Sequence, residues 1–159
     1  MNTSRIALIA ALLATGGALY AKPTARPSGP AAQDIVATRQ AGMGMSAATL
    51  TLIKNASANG VPLKNLRFNA SSLAKWADAL PSLFSENTRG LTSRAMPTIW
   101  TDRAGFMAKA GEFSTAAKAL AAAAAAEDKP AFDAALASVG ASCKGCHDTY
   151  QKSPPAKPG

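Results

Sequence analysis

One histidine and two cysteines are all that the 159 residues contain of those two types. A single imidazole excludes any site that needs two histidines, and two thiols cannot build a disulfide framework. Aromatic residues make up 6% of the chain and charged residues 16%. Alternating runs of Val, Ile, Tyr and Phe are scarce, which argues against an all-β fold. With 48% apolar residues and little charge, the chain is not a charged disordered polymer. What it does have is alanine, a strong helix former of small volume. The length fits one domain, of a size that buries roughly two-thirds of its unfolded surface.

Residues 1–21 read as a secretory signal peptide: a short basic start to Arg5, an apolar stretch from Ile6, then small residues to Ala21. The apolar stretch is shorter than the roughly 20 residues of a membrane span. An uncleaved N-terminal anchor is the rival reading; both put the domain outside the cytoplasm, in a bacterial periplasm. Residues 22–31 form a Pro-rich linker and 152–159 a similar flexible tail. The folded domain is expected over 32–151.

The net charge is +8. Its cations, among them Arg39, Lys54, Arg67, Lys75, Arg94, Lys109 and Lys118, are spread along the domain without aromatic interleaving. Nucleic acid is therefore not expected as a partner. The charge suits solubility and the docking of a redox partner protein with an acidic patch; a merely solvated surface explains it equally well.

Four amphipathic helices are legible. The first runs from about Ala32 to Ala58, with Val36, Met43, Ala47 and Leu50 on one face and Arg39 interrupting it; Asn59-Gly60 ends it. Ile35, Met45 and Leu52 form a second stripe, compatible with a homodimer or with ordinary packing. The second helix covers about Asn65 to Leu80, stopped by Pro81, and a long irregular link follows to Pro97. The third spans about Thr98 to Glu127, with Ile99, Phe106, Ala110, Phe113, Ala117 and Leu120 on one face. Asp128-Lys129-Pro130 restarts a helix to Gln151, whose stripe holds Phe132, Leu136, Val139, Cys143, Cys146, His147 and Tyr150. The expected fold is all-α, an antiparallel up-down-up-down four-helix bundle. Its small Ala-rich faces could leave a hollow filled by something other than side chains.

Cys143-Lys144-Gly145-Cys146-His147 is C-x-x-C-H, the attachment signature of c-type haem. On a helix, positions i, i+3 and i+4 share a face. Both thiols can then form thioethers with one porphyrin while His147 offers its imidazole to the iron. A thioredoxin-like pair would open a helix after a strand, whereas this motif closes a helix. Zinc needs four ligands, and there is no second cluster. One covalent haem c is the expected cofactor. A haem-free bundle with a bare thiol pair is the remaining alternative.

The chain resembles the four-helix class of c-type cytochromes, the cytochrome c-prime family, which also carries C-x-x-C-H near its C-terminus. The resemblance rests on Arg39-Gln40, Ile99-Trp100, Phe106 and the run from Cys143 to Tyr150. It implies that Arg39 and Gln40 lie near the haem propionates; independently, an Arg on an apolar face needs a partly buried anion. It also implies that Met43 is the distal residue. Trp100 and Phe106 are expected to wall the pocket, and Phe84 in the loop to cover a haem edge. Trp76 reads as plain core. Met43, flanked by Gly42 and Gly44 that would let the backbone approach the ring, is expected as the second iron ligand beside His147. Gas-binding members usually carry Arg directly after the Tyr, where this chain has Gln151. The expected function is thus a periplasmic monohaem single-electron carrier with low-spin His147/Met43 ligation, and no enzymatic activity. The alternative is a five-coordinate haem that binds nitric oxide or carbon monoxide, with Met43 unligated.

Overall fold

The computed structural model describes residues 30–153; the expected signal peptide, most of the linker and most of the tail lie outside them. Helix α1 runs Ala32–Ala58, α2 Arg67–Ala79, α3 Thr98–Thr101, α4 Arg103–Ala126 and α5 Lys129–Tyr150. Three short 3-10 turns, Leu63–Leu66, Leu80–Leu83 and Glu86–Thr88, complete the regular structure. No named strand occurs among the described residues. The four-helix bundle expected from the periodicity is therefore the fold, with α3 and α4 together making its third member.

Each boundary has a local cause. Gly60 closes α1 at φ 74°, a conformation glycine adopts without Cβ strain. Asp128 caps α5 by accepting the Ala131 N–H at 3.0 Å. The expected unbroken third helix is interrupted at Asp102, whose backbone turns out at φ −115°, ψ 60°. Its carboxylate accepts from Gly105 N at 3.1 Å and from the Tyr150 hydroxyl at 2.7 Å. Those two bonds replace the helical continuation, and α4 starts afresh from its own cap.

Helix α4 packs against both α5 and α2, and α1 packs against α2. Ala117, Leu120 and Ala124 of α4 are fully buried, as are Phe132 and Val139 of α5. Of the alanines between 121 and 126, Ala123 and Ala124 are buried in the core and Ala122, Ala125 and Ala126 are exposed. On α1 the buried apolar residues are Val36 and Ile53, while Met43 and Leu50 are half-buried. Met45 is 71% exposed and Leu52 49%, so the second α1 stripe takes no part in the core. Gly42 serves a purpose other than the expected approach to a ring. A Cβ there would overlap the Trp76 indole, so the glycine seats Trp76 between α1 and α2. Gly44 faces open space. Gly42→Ala should cost about 1–3 kcal/mol by overpacking, read from urea unfolding, and much less when Trp76 is first cut to Ala.

The Asp102–Tyr150 bond makes stability depend on pH. Asp102 is held below its ordinary 3.8, first by the Tyr150 hydroxyl and then by the Gly105 N–H. Tyr150 is pushed up from 10.0 to about 12, mainly by the same bond. A carboxylate held low stabilises the fold above 3.8, and that contribution disappears as pH falls through the folded value. A phenol held high contributes below 10.0 and loses its contribution as pH rises toward about 12. Asp102→Asn should lower Tm at neutral pH and flatten the acid limb of a Tm–pH curve. Tyr150→Phe should flatten the alkaline limb. The double variant should melt no lower than the worse single one, since both remove one shared bond.

Candidate functional site

A cavity of about 240 Å³ opens between α1, the 81–97 link and the C-terminal part of α5. A second, of about 140 Å³, lies deeper between α1, α4 and α5. Met43, Leu80, Phe106, Cys146 and His147 line both, so the two are lobes of one slot. Ala47 and Ala110 border the deeper lobe. Their small side chains leave the space that the sequence suggested.

Cys143 and Cys146 are free, half-buried thiols of α5. Both face the deeper lobe, and Cys146 and His147 also face the outer one. Burial pushes both thiols up; at Cys143 the charge of Lys54 opposes this, and at Cys146 the neighbouring Cys143 adds to it. Burial, and then the charge of Arg94, hold the His147 imidazole below its ordinary value, which favours the neutral form that binds metal.

Arg39 reaches the outer lobe from α1 and is only 3% exposed. It donates to Leu83 O at 2.9 Å, to Thr88 Oγ1 at 3.4 Å and to Ser93 Oγ at 3.3 Å. Its guanidinium lies 4.3 Å from the centre of the Phe84 ring. None of these partners is an anion, and no carboxylate lines this lobe among the described residues. Arg39 therefore does two things: it pins the link against α1, and it carries an unneutralised charge beside the slot. Gln40 follows it on the wall.

Phe106 forms the back of both lobes and is 1% exposed. Phe84 lies 4.9 Å from it, ring to ring, and lines the outer lobe. Trp100 is placed differently from the expectation: it is absent from the lining of both lobes. It sits behind Phe84, centroids 6.4 Å apart, and donates its indole N–H to Ser85 O at 3.1 Å. The break at Asp102 ends α3 one turn after it begins, which directs Trp100 to the link. Ser93 and Arg94 also line the outer lobe; they come from an aperiodic segment in which sequence spacing carries no facing information.

The residues fit a covalently held haem. Two thiols one turn apart flank an imidazole, the slot they face is largely apolar, and a buried guanidinium without a counter-anion waits at its rim for carboxylates. Fold and site together define a class, the helical-bundle proteins that carry one haem c through two thioethers. The family model for cytochrome c' matches residues 34–151, and the chain belongs to that family.

Cytochrome c' of Pararhodospirillum photometricum is 39% identical over 85 residues, 53% of this chain and 68% of that protein. Cytochrome c' of Alcaligenes xylosoxydans xylosoxydans is 44% identical over 79 residues, 49% of this chain and 61% of the relative. A nitric oxide complex of a variant cytochrome c prime from Alcaligenes xylosoxidans superposes with a TM-score of 0.71 at 31% identity, covering 77% of this chain and 97% of that one. Cytochrome c' from Rubrivivax gelatinosus superposes at 0.70 with 27% identity, covering 76% and 97%.

These findings overturn the expected low-spin electron carrier with His147 and Met43 as paired ligands. In the nitric oxide complex of that relative's variant the diatomic, and not a pair of side chains, completes the iron's ligands. The half-buried Met43 is a wall of both lobes here, and its thioether is corrected from ligand to lining.

Two outcomes check the site. Replacing both Cys143 and Cys146 by Ser should remove the haem increment from the intact mass of the mature protein. Arg39→Met should destabilise by about 1–3 kcal/mol in denaturant titration, because Leu83 O, Thr88 and Ser93 lose their donor.

Proposed function

We propose that this protein binds nitric oxide or carbon monoxide at a five-coordinate haem c in the periplasm. A haem bound in the slot supplies an iron with one position open to a neutral diatomic. The observation that carries the reading is the apolar lining that His147 shares with its neighbours. Met43 and Leu80 of the shared wall, with Leu50 and Phe106 beside them, present apolar surface. The only histidine of the chain is in the attachment motif. Such a lining admits a small neutral molecule and offers no second imidazole to compete with it. His147 would ligate the iron, Cys143 and Cys146 would fix the porphyrin to α5, and Arg39 and Gln40 would meet its propionates. Residues 1–21 supply the export signal.

Absorption spectroscopy tests this. The expected ferric and ferrous spectra are high-spin and broad, without the red-edge band of a methionine–iron bond. Carbon monoxide should convert the ferrous form to a sharp-banded adduct. Met43→Ala should speed carbon monoxide association on the order of tenfold, about 1.4 kcal/mol of steric barrier, without altering the ferric spin state. A sharp low-spin ferrous spectrum that ignores carbon monoxide would end the proposal.

A second copy of the chain is the natural cover for the exposed apolar residues of α1 and α2. Met45, Leu52 and Phe68, the last 80% exposed, are uncovered by the described residues of the monomer. Sedimentation should show a dimer that Phe68→Lys with Met45→Lys converts to monomer, with the haem spectrum retained.

A further inference from the structure

The end of α5 is strapped to the 81–97 link through Arg94. Its Nη2 donates to Gln151 Oε1 at 3.1 Å and to Lys152 O at 2.8 Å, and its Nε donates to Lys152 O at 3.0 Å. The two backbones are also joined: Lys152 N donates to Arg94 O at 2.8 Å and Met96 N to Tyr150 O at 3.0 Å. Gln151 in turn donates its backbone N–H to the carbonyl of His147 at 3.1 Å. The strap therefore closes on the helical turn that carries His147.

Arg94 also lines the outer lobe together with His147 and Gln151. Its hydrogen-bond acceptors are neutral, and no carboxylate lines that lobe among the described residues. A cation beside the C-terminus of α5 is further favoured by the helix dipole.

We propose that Arg94 is a positioning residue of the haem site, which holds the His147 turn in place and fixes a positive charge beside the His147 imidazole. Reduction removes one positive charge from the iron, so a fixed neighbouring cation favours the ferrous state and disfavours the ferric. Arg94 is solvent-exposed, so salt weakens the effect. The inference rests on the attachment of haem at Cys143 and Cys146, and it holds for either coordination number of the iron.

The test uses the mature holoprotein, with covalent haem first verified by intact mass and carbon monoxide binding recorded separately. Three variants separate charge from clamp. Arg94→Gln removes the charge, Arg94→Lys keeps it without the planar fork, and Gln151→Glu keeps the clamp while adding a counter-charge. The ferric-to-ferrous ratio is measured at fixed ambient potential in low salt. Arg94→Gln and Gln151→Glu should each raise it about threefold, about 28 mV for a one-electron couple, and the shift should shrink as salt is added. Arg94→Lys should stay near the parent ratio while melting lower. Parent ratios in both Arg94→Gln and Gln151→Glu would overturn the charge assignment, as would equal shifts in Arg94→Lys and Arg94→Gln. An Arg94→Lys protein that melts like the parent would overturn the clamp. Should Arg94→Gln fail to fold, Gln151→Glu decides the charge alone. A protein that fails to bind carbon monoxide yet shows these shifts would refute the gas-binding reading and leave this one standing.

Discussion

The geometry of one helical turn governs the site. Cys143, Cys146 and His147 share a face of α5 because three and four residues span about one turn. That face looks into the slot whose other wall is Met43, Leu50 and Arg39 of α1. A covalent cofactor there is held by the same helix that packs against α4, so its position is tied to the bundle core through Phe132 and Val139, both fully buried. The slot is space that the helices leave unfilled, since Ala47 and Ala110 border it with small side chains.

Around that slot the 81–97 link does the work of a wall. It is irregular, yet it is fastened at both ends by arginines: Arg39 bonds Leu83, Thr88 and Ser93 from α1, and Arg94 bonds Gln151 and Lys152 beyond α5. Arg103 adds bonds to Phe84 O and Pro81 O. Carbonyl groups that a loop would otherwise leave to water thereby find donors. The same fastening sets Phe84 against Phe106, 4.9 Å apart, at the rear of the slot.

Much of this was legible in the residue order. The spans of α1 and α5 follow from periodicity, the Asn59-Gly60 stop and the Asp128-Lys129-Pro130 start. The attachment motif needed only spacing. Other features were not legible. Asp102 reads as one more polar residue of a long helix until Tyr150, 48 positions away, donates to it. Trp100 turns to Ser85 because of that break. Gly42 looks like a cofactor approach and is a seat for Trp76. Met43 occupies a wall position where a thioether could serve as ligand or lining, and chemistry of the residue alone does not choose between them.

By itself the sequence determined the helical class, the four amphipathic segments and the single point of haem attachment. These are consequences of local rules: helix periodicity, caps and the i, i+3, i+4 placement of two thiols and an imidazole. Only the tertiary structure decided which residues of the aperiodic link meet the slot, that Arg94 stands beside His147, and that Arg39 is buried among neutral acceptors. Those facts depend on contacts between residues some 44 to 58 positions apart. Such contacts are set by how the helices pack, and no local pattern in the chain encodes them.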